Sequence, residues 1–291
     1  MAGDLKILLV HLRLHFQLLL APVFLWGWLM AGGGLSTAVL LGFVSFHAFL
    51  YAGATAFNSY YDRDEGPVGG LERPPHVVPA LLPFSLAVQA MGWLLAFFVN
   101  LPFWLAYAAF VALSFAYSHP RIRLKAHTLA SLTVVGLGQG ALAFVAAWAA
   151  TRGEVGSVWS FDGALGAAAS VLLILALYPL TQLYQIDEDA NRGDRTVVVA
   201  WGPGRSFVLA FACTVVGGGL MLTLLGRRFG ALDALLVGVG LVTQVAVLAW
   251  WGRRFDAAQV RANYRRVMRL NVLNATALGG YLVVRLALSA R

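Results

Sequence analysis

The sequence predicts an all-α, polytopic membrane protein in which nine transmembrane helices form one bundle, and three observations support this prediction. The chain of 291 residues is 60% hydrophobic and 12% charged, with a mean hydropathy of +0.76. Its apolar residues are concentrated in runs of about 20, the length that a membrane-spanning helix needs. Its basic residues lie between these runs and favour one side of the membrane. Soluble domains have a more polar composition and lack this arrangement.

We predict one span for each apolar run and find no soluble domain between them, so the whole chain, residues 1–291, is expected to form a single domain. The predicted spans are residues 14–31, 35–58, 78–98, 101–117, 128–150, 163–184, 206–226, 231–251 and 270–290.

The first four runs are bounded by short connections or by polar clusters. The loop after the first run is Ala31-Gly-Gly-Gly, and the loop after the third is Asn100-Leu-Pro. Neither loop carries a charge, as expected for tight turns at a membrane surface. The second run ends in a group of acidic residues, and the fourth ends just before a basic stretch, residues 119–125.

The last five runs each have one distinguishing feature. Glycines at 136, 138 and 140 in the fifth run indicate close helix packing. The sixth leads into a second acidic group, and the seventh contains Cys213, the single cysteine, which we interpret as a small buried residue. The eighth and ninth runs are separated by the basic segment Gly252–Arg269. This segment is predicted as an interfacial helix attracted to anionic lipid or as a solvated positive loop.

The distribution of basic residues predicts the orientation. With the N-terminus in the cytoplasm, 16 basic residues lie on the cytoplasmic side and five on the far side. The cytoplasmic set is Lys6, Arg13, Arg63, Arg73, Arg121, Arg123, Lys125, Arg192, Arg195, Arg205, Arg253, Arg254, Arg261, Arg265, Arg266 and Arg269, and the far set is Arg152, Arg227, Arg228, Arg285 and Arg291. Both acidic groups then lie on the cytoplasmic side. The compact loops favour the cytoplasmic membrane of a prokaryote, with membrane lipids as partners.

Several functional classes are disfavoured by the sequence. The net charge of +8 follows the membrane topology, so it does not indicate a nucleic-acid partner. The six histidines have no metal-ligand spacing, and no Ser-His-Asp grouping or nucleotide-binding glycine motif is present in a convincing context. No cleavage site for a signal peptide is clear after the first run.

The first acidic group follows the second span and predicts a metal site. Asn58 and Asp62 are four residues apart at the end of an apolar helix, so both project from one face. Asp64 and Glu65 follow where the helix should end, before Gly66. Carboxylate and amide oxygens suit Mg²⁺, which prefers oxygen ligands and is often shared with phosphate. The alternative is that these charges only cap the span and remain in water.

The second acidic group follows the sixth span and has the same chemistry. Tyr178, Gln182, Gln185 and Asp189 are spaced four, three and four residues apart, which predicts one polar stripe on a continuous helix facing the bundle interior. Asp187 and Glu188 add charge on neighbouring faces. Two such groups facing each other could hold two Mg²⁺ ions around a diphosphate. The predicted metal ligands are Asn58, Asp62, Asp64, Glu65, Gln185, Asp187, Glu188 and Asp189.

Basic residues near the acidic groups are candidates for binding the diphosphate, because arginine forms bidentate contacts with phosphate and lysine acts as a point charge. The candidates are Arg63, Arg73, Arg123, Lys125, Arg192 and Arg195. The polar residues Tyr178, Gln182 and Gln185 are added as predicted substrate-binding residues.

Three motifs together resemble those of the UbiA-type intramembrane prenyltransferase superfamily. Asn58-x-x-x-Asp62-Arg63, followed by Arg73-Pro74, is similar to the family's first aspartate-rich motif and its Arg-Pro element. Tyr117-Ser-x-Pro-x-x-Arg123-Leu-Lys125 resembles a Tyr-Ser…Arg-Leu-Lys stretch. Asp189-x-x-x-Gly193-x-x-Thr196, followed by Gly202, resembles the second aspartate-rich motif. The resemblance covers essentially the whole chain and makes Arg123 and Lys125 the strongest cation candidates.

The resemblance implies a helical bundle around a central cavity that is accessible to lipid. It implies Mg²⁺-dependent transfer of an isoprenyl group from its diphosphate to a lipophilic acceptor, aromatic or lipid, through an allylic carbocation. We predict Asn58, Asp62 and Asp189 as catalytic residues. The chain departs from the family pattern at two positions: Gly66 stands where the first motif usually ends in Asp, and Gln185 stands where the second usually begins with Asp.

Two other functions remain open at this point. A terpene cyclase of the same superfamily would use a prenyl diphosphate without an acceptor, because the cation is captured within the same molecule. A transporter would also place polar residues within the membrane. The transporter is the less favoured alternative, because transport sites usually lie near the midplane and these acidic residues gather on one side.

Overall fold

The computed structural model describes residues 2–289 and confirms the all-α, polytopic prediction. Arg291, counted above on the far side, lies outside the described residues. Within the described part of the chain, eight helices are long and apolar enough to cross a membrane, and Leu81–Phe97 is a shorter apolar helix of 17 residues. The exact count of nine spans therefore stays a prediction.

Ten helices in chain order define the bundle over the described residues. They are α1 (Asp4–Met30), α2 (Thr37–Asp62), α3 (Leu81–Phe97), α4 (Leu101–Ser118), α5 (Thr128–Arg152), α6 (Phe161–Thr181), the short α7 (Ile186–Asn191), α8 (Val197–Phe229), α9 (Ala231–Gly252) and α10 (Val260–Ser289). Two of them contain a π-helical turn, Ser45–Tyr51 in α2 and Gly136–Leu142 in α5. Such turns are often found at functional sites.

Close approach between α5 and α6 confirms the prediction made from the glycines of the fifth span. A Cβ atom on Gly140 would lie 2.6 Å from the Cα atom of Val171, which is closer than real Cβ contacts allow. Gly140 therefore lets the two backbones pack against each other. This contact lies beside the central cavity and fixes the relative position of two of its walls.

The predicted polar stripe on one continuous helix is wrong. The helix α6 ends at Thr181, and the chain turns before α7 begins at Ile186. Tyr178 thus lies on α6, Gln182 and Gln185 lie in the turn, and Asp189 lies on α7.

The basic segment between the last two spans matches neither predicted alternative completely. A turn follows α9, and α10 then begins at Val260, so that Arg261–Arg269 form the first part of the last membrane helix.

The seventh span also begins earlier than predicted, at Val197, and bends at Gly202, where φ is +81°. A left-handed φ is easy only for glycine, which explains the bend at this position.

Candidate functional site

The two acidic groups meet at one end of the bundle. The end of α2 and the loop after it face α7, and the backbone N–H of Glu65 donates to Oε1 of Glu188 at 2.9 Å. Arg192 links the groups further, because its guanidinium pairs with Asp64 and donates to Oδ1 of Asp189 at 2.9 Å. Residues that are more than a hundred positions apart therefore form one polar cluster.

Asn58, Asp62 and Lys125 form the centre of this cluster. Because Asn58 and Asp62 are one helical turn apart on α2, Nδ2 of Asn58 donates to Oδ2 of Asp62 at 2.8 Å. Nζ of Lys125 pairs with the Asp62 carboxylate and donates to Oδ1 of Asn58 at 3.3 Å. The side chains of Lys125 and Asp62 are only 8% and 6% exposed, so this ion pair is buried.

A second ion pair joins the loop after α4 to the loop after α7. The guanidinium of Arg123 donates to both carboxylate oxygens of Asp194, at 2.9 and 2.8 Å. The hydrogen bond with Asp194 raises the pKa of Arg123. The backbone of Arg123 adopts a left-handed φ of +45°, which turns the chain so that its side chain and that of Lys125 reach the same cluster.

Asp189 is the buried carboxylate of the second acidic group. Burial raises the pKa of Asp189 to about 6, and the hydrogen bond from Arg192 opposes this shift. Asp187, Glu188 and Asp189 occupy the first turn of α7, where the helix dipole favours negative charge. The local sequence thus explains why a short helix forms here and directs its carboxylates towards α2.

The chemistry of these donors fits Mg²⁺, although their present pairing does not form a metal cage. Among the described residues, no group of three or more histidine, cysteine or acidic side chains is placed to hold a metal ion. Asp62, Asp64 and Asp189 instead contact Lys125 and Arg192. A cation with a phosphate ligand would have to share these carboxylates, while the basic side chains would turn towards the phosphate oxygens.

A shallow polar pocket lies at the surface of the cluster, with a volume of about 470 Å³. Its lining residues are Asp62, Arg63, Glu65, Asp187, Glu188, Asn191 and Arg192. A Cβ atom on Gly66 would lie 2.9 Å from Oε2 of Glu188. The carboxylate of Glu188 therefore lies where a side chain at position 66 would project.

A larger cavity of about 700 Å³ begins below the acidic cluster and extends between the membrane helices. Every long helix except α3 contributes to its lining, which is mostly apolar. Arg13, Asn58 and Gln185 lie among its lining residues, and the hydroxyl groups of Tyr117 and Tyr178 are 3.1 Å apart. The arrangement is suited to a ligand with an anionic head and a long apolar tail.

Arg13 is a site residue that the sequence analysis assigned only to topology. It breaks α1 with a left-handed φ of +48° and is 8% exposed. Its guanidinium donates to Oγ of Ser59 at 2.6 Å and to the carbonyl of Gly69 at 3.1 Å, and it lines the cavity. The available signal was a single arginine within a long apolar helix, since buried charges in membrane helices are costly.

The other predicted site residues lie in different places. Gln182 is buried, and its Oε1 accepts a hydrogen bond from the backbone N–H of Val198 at 3.4 Å. It does not line either pocket of the described structure. The side chains of Arg73 and Arg195 are exposed and lie outside both pockets. Their roles in substrate binding stay predictions. Arg192, a predicted candidate for binding the diphosphate, joins the cluster, as does Asp194, which was not among the predicted site residues.

Comparisons with known proteins were made for the sequence and for the fold. The sequence model of the UbiA prenyltransferase family matches residues 19–273. No curated protein matches the sequence significantly.

Solved structures that are similar include a UbiA homolog from Archaeoglobus fulgidus bound to GPP and Mg²⁺, with a TM-score of 0.70 and 20% identity over 97% of this chain and 99% of that chain. A digeranylgeranylglyceryl phosphate synthase has a TM-score of 0.66 and 16% identity, over 98% and 99% of the two chains. A UbiA homolog from Aeropyrum pernix K1 has a TM-score of 0.64 and 17% identity, over 93% and 97%. At these identities the structural matches establish the fold.

Proposed function

Because the chain belongs to the UbiA prenyltransferase family, we propose that it transfers an isoprenyl group from a prenyl diphosphate to a lipophilic acceptor within the membrane. The observation that carries this proposal is the convergence of carboxylates and basic side chains at the mouth of a large apolar cavity. Similar proteins from Archaeoglobus fulgidus bind GPP with Mg²⁺ and DMAPP with Mg²⁺, which supports the substrate and cofactor.

Mg²⁺ is the proposed cofactor, and when bound it would neutralise the diphosphate and stabilise it as a leaving group. Asn58, Asp62 and Asp189 are the central ligands and the proposed catalytic residues. The remaining proposed ligands are Asp64, Glu65, Gln185, Asp187 and Glu188. Each of these side chains can present a carboxylate or amide oxygen, the kind of ligand that Mg²⁺ prefers.

The basic residues of the cluster are proposed to exchange partners when the substrate binds. In the absence of diphosphate, Lys125 and Arg192 neutralise Asp62, Asp64 and Asp189. In its presence they would contact phosphate oxygens, together with Arg123 and, from the opposite wall, Arg13. The buried cluster thus remains close to neutral in both states, which limits the cost of burying charge.

The apolar cavity would protect the reactive intermediate from water. The bond between C1 of the prenyl group and the diphosphate oxygen breaks, and its electron pair leaves with the diphosphate. The rings of Tyr51, Phe110, Tyr117 and Tyr178 belong to the cavity wall and can stabilise an allylic cation through their faces. The acceptor then forms a bond to C1 and loses a proton.

The location of the reaction follows from the same proposal. The chain is an integral membrane protein, and the excess of basic residues supports an N-terminus and acidic loops on the cytoplasmic side. We propose the cytoplasmic membrane of a prokaryote, and a single functional domain over residues 1–291.

The test is an assay of the full chain purified in detergent. Geranyl, farnesyl and geranylgeranyl diphosphate are supplied with and without Mg²⁺ and with and without a membrane lipid extract, and organic products are identified by mass spectrometry. We expect Mg²⁺-dependent diphosphate release and a new prenylated mass only when the extract is present. A cyclised hydrocarbon or alcohol without extract would support the cyclase instead. Absence of both release and binding would contradict the proposal.

A further inference from the structure

The large cavity has a second polar region, on two helices that do not contribute to the acidic cluster. Gln244 on α9 and Asn271 and Asn274 on α10 line it, and we call these three side chains the amide patch. At about 1.5 Å per residue, Asn274 and Asn271 lie about 7.5 and 12 Å before Gly279, which packs against Pro22 of α1, so the patch is level with the part of the cavity wall that follows Arg13. Their spacing of three residues places them on one face of the helix.

The amide patch has unused hydrogen-bonding capacity. Nε2 of Gln244 donates to Oγ1 of Thr214 at 3.1 Å, but its Oε1 accepts no hydrogen bond within the described part of the chain. Nδ2 of Asn274 is buried without a partner there. No side-chain hydrogen bond of Asn271 is found among residues 4–289.

Two other amides in the membrane helices use their N–H groups, although Oε1 of Gln89 has no partner among the described residues. Gln17 donates to the carbonyl of Leu12 at 2.9 Å, and Gln89 donates to the carbonyl of Ser85 at 3.3 Å. Because lipid and apolar walls cannot satisfy a polar group, unpaired amides in the cavity wall indicate a missing hydrogen-bonding partner in the cavity.

The charge of the lining restricts the nature of this partner. Arg13 is the one charged side chain among the described residues that line the cavity, and Ser59 and Gly69 hold it at the mouth. Because Arg13 is proposed to contact the diphosphate, an anionic group at the amide patch would find no other cation among the described lining residues. Amides provide both N–H donors and carbonyl acceptors, which suit a hydroxyl or carbonyl oxygen.

The prenyl chain does not provide such a group, because it is a hydrocarbon. The apolar and aromatic wall near Tyr51 and Phe110 suits it better than the amide patch does. We propose that the amide patch binds the uncharged hydroxyl or carbonyl group of the lipophilic acceptor, so that the acceptor class is neutral rather than anionic. This inference rests on the proposed prenyl transfer and adds a subsite to it.

The test uses photolabelling, because it locates a ligand without requiring turnover. The probe is 4-(hydroxymethyl)benzophenone, a neutral alcohol, and its anionic counterpart is 4-benzoylbenzoate. We expect the alcohol to label peptides of α9 or α10 in the full chain, and the carboxylate to label them at least tenfold less.

Variants of the patch separate hydrogen bonding from simple hydrophobic binding. Asn271→Leu with Asn274→Leu keeps side-chain size and removes two amides. Labelling by the alcohol should fall about 25-fold, since each neutral hydrogen bond contributes roughly a factor of five. Gln244→Met is a second variant. Thr276→Val, on the exposed side of α10, is the matched control and should label like the wild type.

Equal labelling of the patch variants and the wild type would overturn the inference, as would stronger labelling by the carboxylate. Binding of geranylgeranyl diphosphate with Mg²⁺ is measured on the same samples and should be unchanged in the variants. Failure of the wild type to bind geranylgeranyl diphosphate would instead remove the proposed function, so the two failures are distinguishable.

Discussion

Lys125→Met should destabilise the protein by leaving Asp62 buried beside fewer positive charges. At an effective dielectric constant of about 20, unit charges about 4 Å apart interact by about 4 kcal/mol. Arg123 stays 3.7 Å from the Asp62 carboxylate and recovers part of this energy. Breaking a buried pair by removing one partner typically costs about 3–5 kcal/mol, and we expect the low end of that range, about 3 kcal/mol.

A double-mutant cycle tests this explanation. Asp62→Asn alone leaves Lys125 buried without its carboxylate and should also destabilise. The combined variant removes both charges and should lie within about 1 kcal/mol of the wild type, so it should recover about 2–3 kcal/mol relative to Lys125→Met alone.

The assay is thermal unfolding of the detergent-purified protein without Mg²⁺ or substrate, at constant pH and salt. Regaining about 3 kcal/mol relative to Lys125→Met corresponds to a rise in the midpoint temperature of roughly 6–12 °C for a chain of this size, at about 2–4 °C per kcal/mol. All three variants should be inactive, because the substitutions alter proposed catalytic and substrate-binding groups. Additive losses in the double variant would refute the assignment of Asp62 and Lys125 as a buried, mutually stabilising pair.

Three further predictions follow from single features of the site and the bundle. Burial raises the pKa of Asp189 to about 6 from 3.8, so the metal-free protein should lose stability as the pH rises through this window, whereas Mg²⁺-dependent diphosphate release should increase. Asp189→Asn should flatten the dependence of stability on pH, and an unchanged dependence would contradict the burial of Asp189 as its cause. Arg123→Lys keeps the charge but loses the bidentate geometry, so the KM for the prenyl diphosphate in steady-state kinetics should rise about tenfold. An unchanged KM would leave Arg123 with a structural role only. Gly140→Ala should lower the unfolding free energy by about 1–3 kcal/mol, because the added methyl group overpacks against α6. Gly219→Ala is the control and should not lower it, since no neighbour lies within 4 Å of that position, and equal effects of the two substitutions would exclude the packing explanation.

The fold class was predictable because a membrane restricts a chain to few solutions. Long apolar runs and the asymmetry of basic residues were sufficient for an all-α, polytopic bundle, and the pairing of Asn58 with Asp62 followed from helical spacing. The break between Thr181 and Ile186 was not predicted, because four-residue spacing continues across it in the sequence. Only the turn at residues 182–185 reveals that the polar residues belong to two helices.

The partners within the site were less predictable than its acidic residues. Arg13 carries the same charge as the topology-determining arginines, and only the tertiary structure shows that it reaches Ser59 on α2. Asp194 is likewise one acid among several in its segment until its bidentate contact with Arg123 is seen. The amide patch on α9 and α10 was also missed, since isolated amides in long apolar helices give no motif.

The most direct test of the central claim is diphosphate release by Asp62→Ala and Asp189→Ala, with and without Mg²⁺, compared with the wild type. Asp256→Ala is the matched control, because Asp256 lies in the turn before α10 and lines neither pocket of the described structure. We predict that both cluster variants remain folded but lose Mg²⁺-dependent release, whereas the control retains it. Full release by Asp62→Ala and Asp189→Ala would contradict the assignment of the acidic cluster as the metal-diphosphate site.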